Sequence, residues 1–188
     1  VTMVGSAENP VFREGVRGND LVGITGVTGE SAIGLQLLEK EVKTGPFVAK
    51  HKIVKPEIEK GQLLSRFVNA MIDVSDGLVI DLSRLLAASK KGANLFYEKI
   101  PVTEMMRQAC AGHGVDEYEA VLAGGEDFVL LFTISPEKES ALRESAKSGD
   151  YYIIGEVTAR ENQVVITHHG RLISPKRPGY DHLKMTFQ

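Results

Sequence analysis

Two apolar periodicities alternate along this chain, and that alternation limits its fold more than any other feature of the sequence. Short runs of adjacent apolar residues mark buried strands. Between them lie segments whose apolar residues return every three or four positions, the mark of an amphipathic helix. Residues 1–20 look extended and turn-rich. Leu21-Val22-Gly23-Ile24-Thr25 is the first buried run, and 26–29 turns the chain. Ile33, Leu37 and Leu38 predict a helix over 30–42. The polar stretch 43–56, with Gly45-Pro46 and Lys55-Pro56, reads as a loop. Pro56 then suits the first turn of a helix reaching about residue 69, with Ile58, Leu63, Leu64 and Phe67 apolar. Ala70-Met71-Ile72 reads as a short strand broken by Ser75-Asp76-Gly77. Leu78, Leu82, Leu85 and Leu86 share one face of the next helix, which runs to about Lys91 with Gly92 as its C-cap. A strand over 94–100, a helix from Pro101-Val102-Thr103 to about Ala111, and a short helix over 116–122 follow. The strongest strand is 127–134; Pro136 opens a helix to about Lys147, and strands over 151–157 and 163–167 precede a basic, turn-like tail. Interleaving of this kind belongs to the α/β or α+β class.

The 188 residues amount to about 1.25 typical domains, room for one domain and part of another. Lys and Arg number 22 against 25 Asp and Glu, a net charge of −3, so a general nucleic-acid binder is disfavoured. A single cysteine, Cys110, excludes an internal disulfide and any multi-cysteine zinc or iron–sulfur site; beside Ala109 and Ala111 it reads as a small hydrophobe. No apolar run approaches the roughly 18 residues of a transmembrane helix, and no membrane partner is expected. A cytoplasmic location is the expectation. The chain opens on Val1-Thr2-Met3-Val4-Gly5, which reads like the middle of a strand, so an upstream portion is expected to be absent.

Chemistry concentrates in three stretches. In Ile72-Asp73-Val74-Ser75-Asp76-Gly77-Leu78, with Asp81 one turn on, two carboxylates three positions apart stand where a strand hands over to a helix. Such a pair can converge on one hard cation, and magnesium takes one or two carboxylates plus substrate phosphates. Ser75 adds a hydroxyl, and N–H groups at the helix start can meet phosphate oxygens. The plainer alternative makes Ser75 or Asp76 an N-cap and Asp73 a surface acid. In Ala123-Gly124-Gly125-Glu126-Asp127 two glycines and two acids precede the strongest strand. Glu126 can accept hydrogen bonds from an amino-bearing ligand, or the stretch is a glycine turn with solvated acids. Thr25-Gly26-Val27-Thr28-Gly29-Glu30 lacks the Gly-Lys-Ser/Thr ending of a phosphate loop and reads as a tight turn before a helix. Arg13 and Arg17 are phosphate clamps or ordinary surface charges. His168 and His169, beside a strand, point to opposite faces and make poor joint ligands. Tyr180 stacks on a flat ring or pins the C-terminus.

Four of these segments, in order, resemble the thiamine-monophosphate kinase family. They are Arg13-Glu14-Gly15 through Gly18-Asn19-Asp20-Leu21-Val22-Gly23-Ile24-Thr25-Gly26; Met71-Ile72-Asp73-Val74-Ser75-Asp76-Gly77-Leu78 with Asp81-Leu82; Gly124-Gly125-Glu126-Asp127 through Thr133; and Gly179-Tyr180-Asp181-His182. Asn19 stands where glycine is more usual, and Phe128 and Val129 where Tyr and Glu are. The wider superfamily holds aminoimidazole ribonucleotide synthetase, selenophosphate synthetase and a hydrogenase maturation factor. The resemblance implies an α+β fold with a mixed, mainly antiparallel sheet flanked by helices. It implies an ATP- and magnesium-dependent kinase that converts thiamine monophosphate to thiamine diphosphate by direct transfer. Asp73 and Asp76 would be metal ligands, Ser75 and Arg13 would contact ATP, and Glu126 and Tyr180 would hold the thiamine moiety. Residues 1–20 would be the end of an otherwise missing N-terminal ATP-binding domain and linker, and 21–188 the C-terminal domain. Full-length members would be homodimers through that missing domain, and the fragment alone is expected to have little activity. The alternatives are another ATP-dependent enzyme of the superfamily and a non-catalytic ligand-binding domain.

Overall fold

A computed structural model describes residues 2, 4–7, 10–177, 179 and 180. The strands are β1 (Leu21–Ile24), β2 (Ala70–Asp73), β3 (Gly92–Phe96), β4 (Leu130–Ile134), β5 (Tyr152–Thr158), β6 (Val164–His168) and β7 (Arg171–Ile173). They form one sheet in the order β2-β4-β1-β5-β3-β6-β7. The β3–β6 pair is parallel and the other five pairs are antiparallel. The helices are α1 (Glu30–Glu39), α2 (Pro46–Lys52), α3 (Ile58–Leu64), α4 (Leu78–Ala87), α5 (Glu104–His113), α6 (Glu117–Ala123) and α7 (Pro136–Ser145). The fold is therefore α+β with a mixed, mainly antiparallel sheet, as the resemblance implied.

Alternation along each strand builds two cores. Val22, Ile24, Ile72, Leu131 and Ile154 join Leu78, Leu82, Leu85, Met106 and Val121 of α4, α5 and α6. Leu130, Phe132, Ile134 and Ile153 face the other way, against Leu64 of α3 and Leu142 of α7. Gly23 is needed where it stands, because the Phe132 ring lies 2.4 Å from the place its Cβ would take. Residues before β1 pack on this body: Phe12 accepts a hydrogen bond from the Met71 N–H, Ser89 Oγ accepts from Gly15 and Val16, and Val16 is buried.

Several local expectations are corrected. The stretch 43–56 holds α2, whose Phe47 and Val48 are buried against α1. Gly34 lets the two helices touch, since a Cβ there would lie 2.2 Å from the Phe47 carbonyl oxygen. Packing of two residues sustains a helix too short to be stable alone. The helix expected from Pro56 begins at Ile58. Gly92 is the first residue of β3, and Lys90, with φ +52, turns the chain after α4. The strand placed at 94–100 ends at Phe96, and a 3-10 turn follows over Tyr97–Lys99. The strand placed at 127–134 begins at Leu130. The tail contains β7. His168 and His169 do not diverge: His169 leaves the strand at φ +49 and the two rings stack 4.4 Å apart. Cys110 is buried as expected, and burial pushes its thiol pKa up.

Candidate functional site

The turn 74–77 and the loop 124–128 are stitched together through their backbones. Val74 N–H donates to the Val129 carbonyl at 2.8 Å, Glu126 N–H to Ser75 at 2.8 Å, and Phe128 N–H to Val74 at 2.9 Å. Gly125 permits this contact, because a Cβ there would stand 2.5 Å from the Ser75 carbonyl oxygen. Glu126 and Phe128 both adopt positive φ, at +66 and +53. Such backbone is costly for a side-chain-bearing residue and persists only where the surroundings hold it. The chain returns here a third time: Tyr180 N–H donates to the Asp76 carbonyl at 2.9 Å.

The α4 start is closed from within. Gly77 is its N-cap at φ +132, with no side-chain cap of its own. Asp81, 1% exposed, turns back, and its Oδ2 accepts from the N–H groups of Ser75, Asp76 and Gly77 at 2.9, 2.9 and 3.2 Å. Neither Ser75 nor Asp76 is the cap, and those three N–H groups are engaged by Asp81 rather than turned toward a phosphate. Arg84 bridges the two acids, donating to Asp81 Oδ1 at 2.7 Å and to Asp76 Oδ2. The bond to Asp76 is the main reason the guanidinium pKa is raised.

The α1 start is closed from afar. Gly29 is its N-cap at φ +93, again without a side-chain cap. Asp127 supplies the acceptors: Oδ2 takes the Gly29 N–H at 2.6 Å and Oδ1 the Ser31 N–H at 2.9 Å. Asp127 is buried, so it is not a solvated acid. Burial pushes its pKa up to about 6, against the opposing pull of the two N–H donors.

A cavity of about 790 Å³ opens over this junction, lined among others by Ser31, His51, Ser75, Asp76, Glu126 and Tyr180. Four of the six expected site residues thus meet at one cavity. Asp73 ends β2 opposite Leu130, and Arg13 is exposed before β1; neither lines the cavity. Pro178, Asp181 and His182 lie outside the described residues. Among the described residues no group of three metal-ligating side chains gathers. Of the two acids expected to hold magnesium, Asp76 lines the cavity and pairs with Arg84, whereas Asp73 stands at the end of β2; phosphates would have to supply most of the ion's other oxygen ligands.

His51 was missed because its segment reads as a loop. Its Nδ1 lies 2.9 Å from Ser31 Oγ and 3.6 Å from Glu126 Oε2. Pro46 at a helix start, followed by Phe47 and Val48, was the available signal. Asp127 had none, since its partners lie 96 and 98 residues away.

Comparison with known proteins places the fold. Residues 17–168 match the family described as AIR synthase related protein, C-terminal domain. Thiamine-monophosphate kinase of Buchnera aphidicola subsp. Schizaphis graminum is 34% identical over 93% of this chain and 56% of its own length. That of Aquifex aeolicus is 32% identical over 97% and 58%. The chain therefore spans little more than half of these relatives. A solved ThiL complexed with AMPPCP and TMP superposes with TM-score 0.75 at 29% identity, covering 91% of this chain and 54% of that one. Hydrogenase maturation protein HypE of E. coli, at TM-score 0.70 and 19% identity over 90% of this chain and 54% of its own, shares the fold.

Proposed function

The chain belongs to the AIR synthase related family through its C-terminal domain, and from that premise we propose that it forms the C-terminal part of a thiamine-monophosphate kinase. The reaction is transfer of the γ-phosphoryl group of ATP to the phosphate of thiamine monophosphate, giving thiamine diphosphate and ADP. Residues 1–20 are the end of a preceding ATP-binding domain and its linker, residues 21–188 the C-terminal domain, and the full-length protein is a cytoplasmic homodimer. The observation that carries the reading is the meeting of Ser75, Asp76, Glu126 and Tyr180 at one cavity.

Phosphoryl transfer between two phosphates rests on positioning and charge neutralisation. Magnesium, when bound, supplies the charge that screens the two anions from each other. Asp76, on the cavity wall, and Asp73, at the end of β2, would hold it. Arg84, tied to Asp76 and Asp81, holds the Asp76 carboxylate in place beside the turn. Ser75 and Arg13 contact ATP. The Glu126 carboxylate accepts from the amino-bearing ring of thiamine, and Tyr180, half exposed at the cavity rim, stacks on it.

The test is steady-state turnover by the full-length gene product with ATP and magnesium. Thiamine monophosphate is offered beside selenide and aminoimidazole-type precursors. The reading expects thiamine diphosphate alone, and a loss of at least about a hundredfold in Asp76→Asn, the scale of losing metal-borne charge stabilisation. Turnover of another substrate, or full activity in Asp76→Asn, would refute it.

A further inference from the structure

Glu126 stands at φ +66 with its side chain 59% exposed at the rim of the cavity. A carboxylate so placed has many rotamers open to it, yet reading a ligand's amino group requires one. His51 is the neighbour that narrows the choice. Its side chain is 18% exposed, and its Nδ1 is 2.9 Å from Ser31 Oγ and 3.6 Å from Glu126 Oε2. Ser31 is fully buried, and its backbone N–H is held by Asp127, the residue next to Glu126. The contacts close a ring: Glu126 leads along the chain to Asp127, Asp127 fixes Ser31, Ser31 fixes His51, and His51 returns to the Glu126 carboxylate. Only α1 and α2 contribute to the ring besides the loop itself, and those two helices touch at Gly34 and Phe47.

We infer that His51 is a positioning residue: its imidazole, anchored on Ser31, sets the Glu126 carboxylate for an amino-bearing, cationic heterocycle at the cavity rim. The inference deepens the function proposed above and rests on it for the identity of that heterocycle. The Ser31 contact fixes the ring, and the ring's Nδ1 edge then faces the Glu126 carboxylate at charge-contact distance. The ring acts through Glu126, so its effect belongs in binding of the heterocycle and not in handling of ATP.

A double-mutant cycle in the full-length gene product tests this. His51→Ala is expected to raise KM for thiamine monophosphate about fivefold, the upper scale of a charge contact at an exposed carboxylate, with KM for ATP and kcat within about twofold. His51→Gln, which keeps an N–H donor, should recover part of the loss. In a Glu126→Gln background His51→Ala should change KM for thiamine monophosphate little, because the two residues act as one unit. Independent effects, or equal changes in both KM values, would overturn the inference. A second measurement decides the pairing whatever the protein phosphorylates: the Glu126 side-chain carboxyl ¹³C resonance should move in His51→Ala, and an unmoved resonance would overturn the inference. Wild-type protein that leaves thiamine monophosphate untouched would defeat the proposed function while leaving that resonance to judge the pair.

Discussion

Helices α1 and α4 begin alike and are closed in different ways. Each starts at a glycine of positive φ, Gly29 or Gly77, that offers no side chain to its own N–H groups. Each recruits a buried aspartate instead. For α4 it is Asp81, four residues inside the helix and tied to Arg84. For α1 it is Asp127, from the loop before β4, with no ion-pair contact among the described residues. A cap from within organises one turn, whereas a cap from another loop fastens two parts of the molecule together. The cavity takes its shape from both: Asp81 builds the Ser75–Asp76 wall, and Asp127 holds the Glu126 wall against α1.

Asp127 carries the largest expected effect. Asp127→Ala leaves two buried N–H donors unmet, at about 2 kcal/mol each or about 4 kcal/mol in all, readable as a lowered urea midpoint. The carboxyl also gives a pH signature. Its folded pKa is raised, to about 6, above the unfolded value. Its contribution is therefore fully present below the unfolded pKa, near 4, and is lost as pH rises through about 6. Relative to Asp127→Asn, wild type should lose on the order of 3 kcal/mol across that window, at 1.36 kcal/mol per unit. A flat difference would show that the site is not buried as described. Asp81→Asn keeps one acceptor and loses the pair with Arg84, so a smaller change of about 2 kcal/mol is expected by the same denaturation. Thr103, an ordinary cap whose own hydroxyl accepts from Met106 N–H at 3.2 Å, sets the lower end. Thr103→Ala should cost about 1 kcal/mol.

The same contrast explains what could be read in advance. The passage from Ala70-Met71-Ile72 through Ser75-Asp76-Gly77 into Leu78, Leu82, Leu85 and Leu86 carries its apolar spacing, its breaker and its capping Asp81 within its own sequence, so spacing located its elements. Ser75, Asp76, Glu126 and Tyr180 were singled out by resemblance to ordered motifs, and they line one cavity. The helix at Pro46–Lys52 was not legible, because its stability comes from Phe47 and Val48 lying on α1 and not from a repeating apolar face. His51 was lost with it. Asp127 read as a solvated acid because nothing near it in sequence shows that Gly29 and Ser31 will arrive with unmet donors. His168 and His169 obeyed strand alternation only until the backbone turned left-handed at His169.

On the proposed function, the loop before β4 and the turn before α4 form one site for thiamine monophosphate. Calorimetric titration of thiamine monophosphate into the full-length gene product, with magnesium and a non-hydrolysable ATP analogue, tests it most directly. Saturable one-to-one binding is expected, weakening about tenfold in Glu126→Gln through loss of one charge-assisted hydrogen bond. Absence of binding by the wild-type protein, or equal affinity in Glu126→Gln, would contradict it.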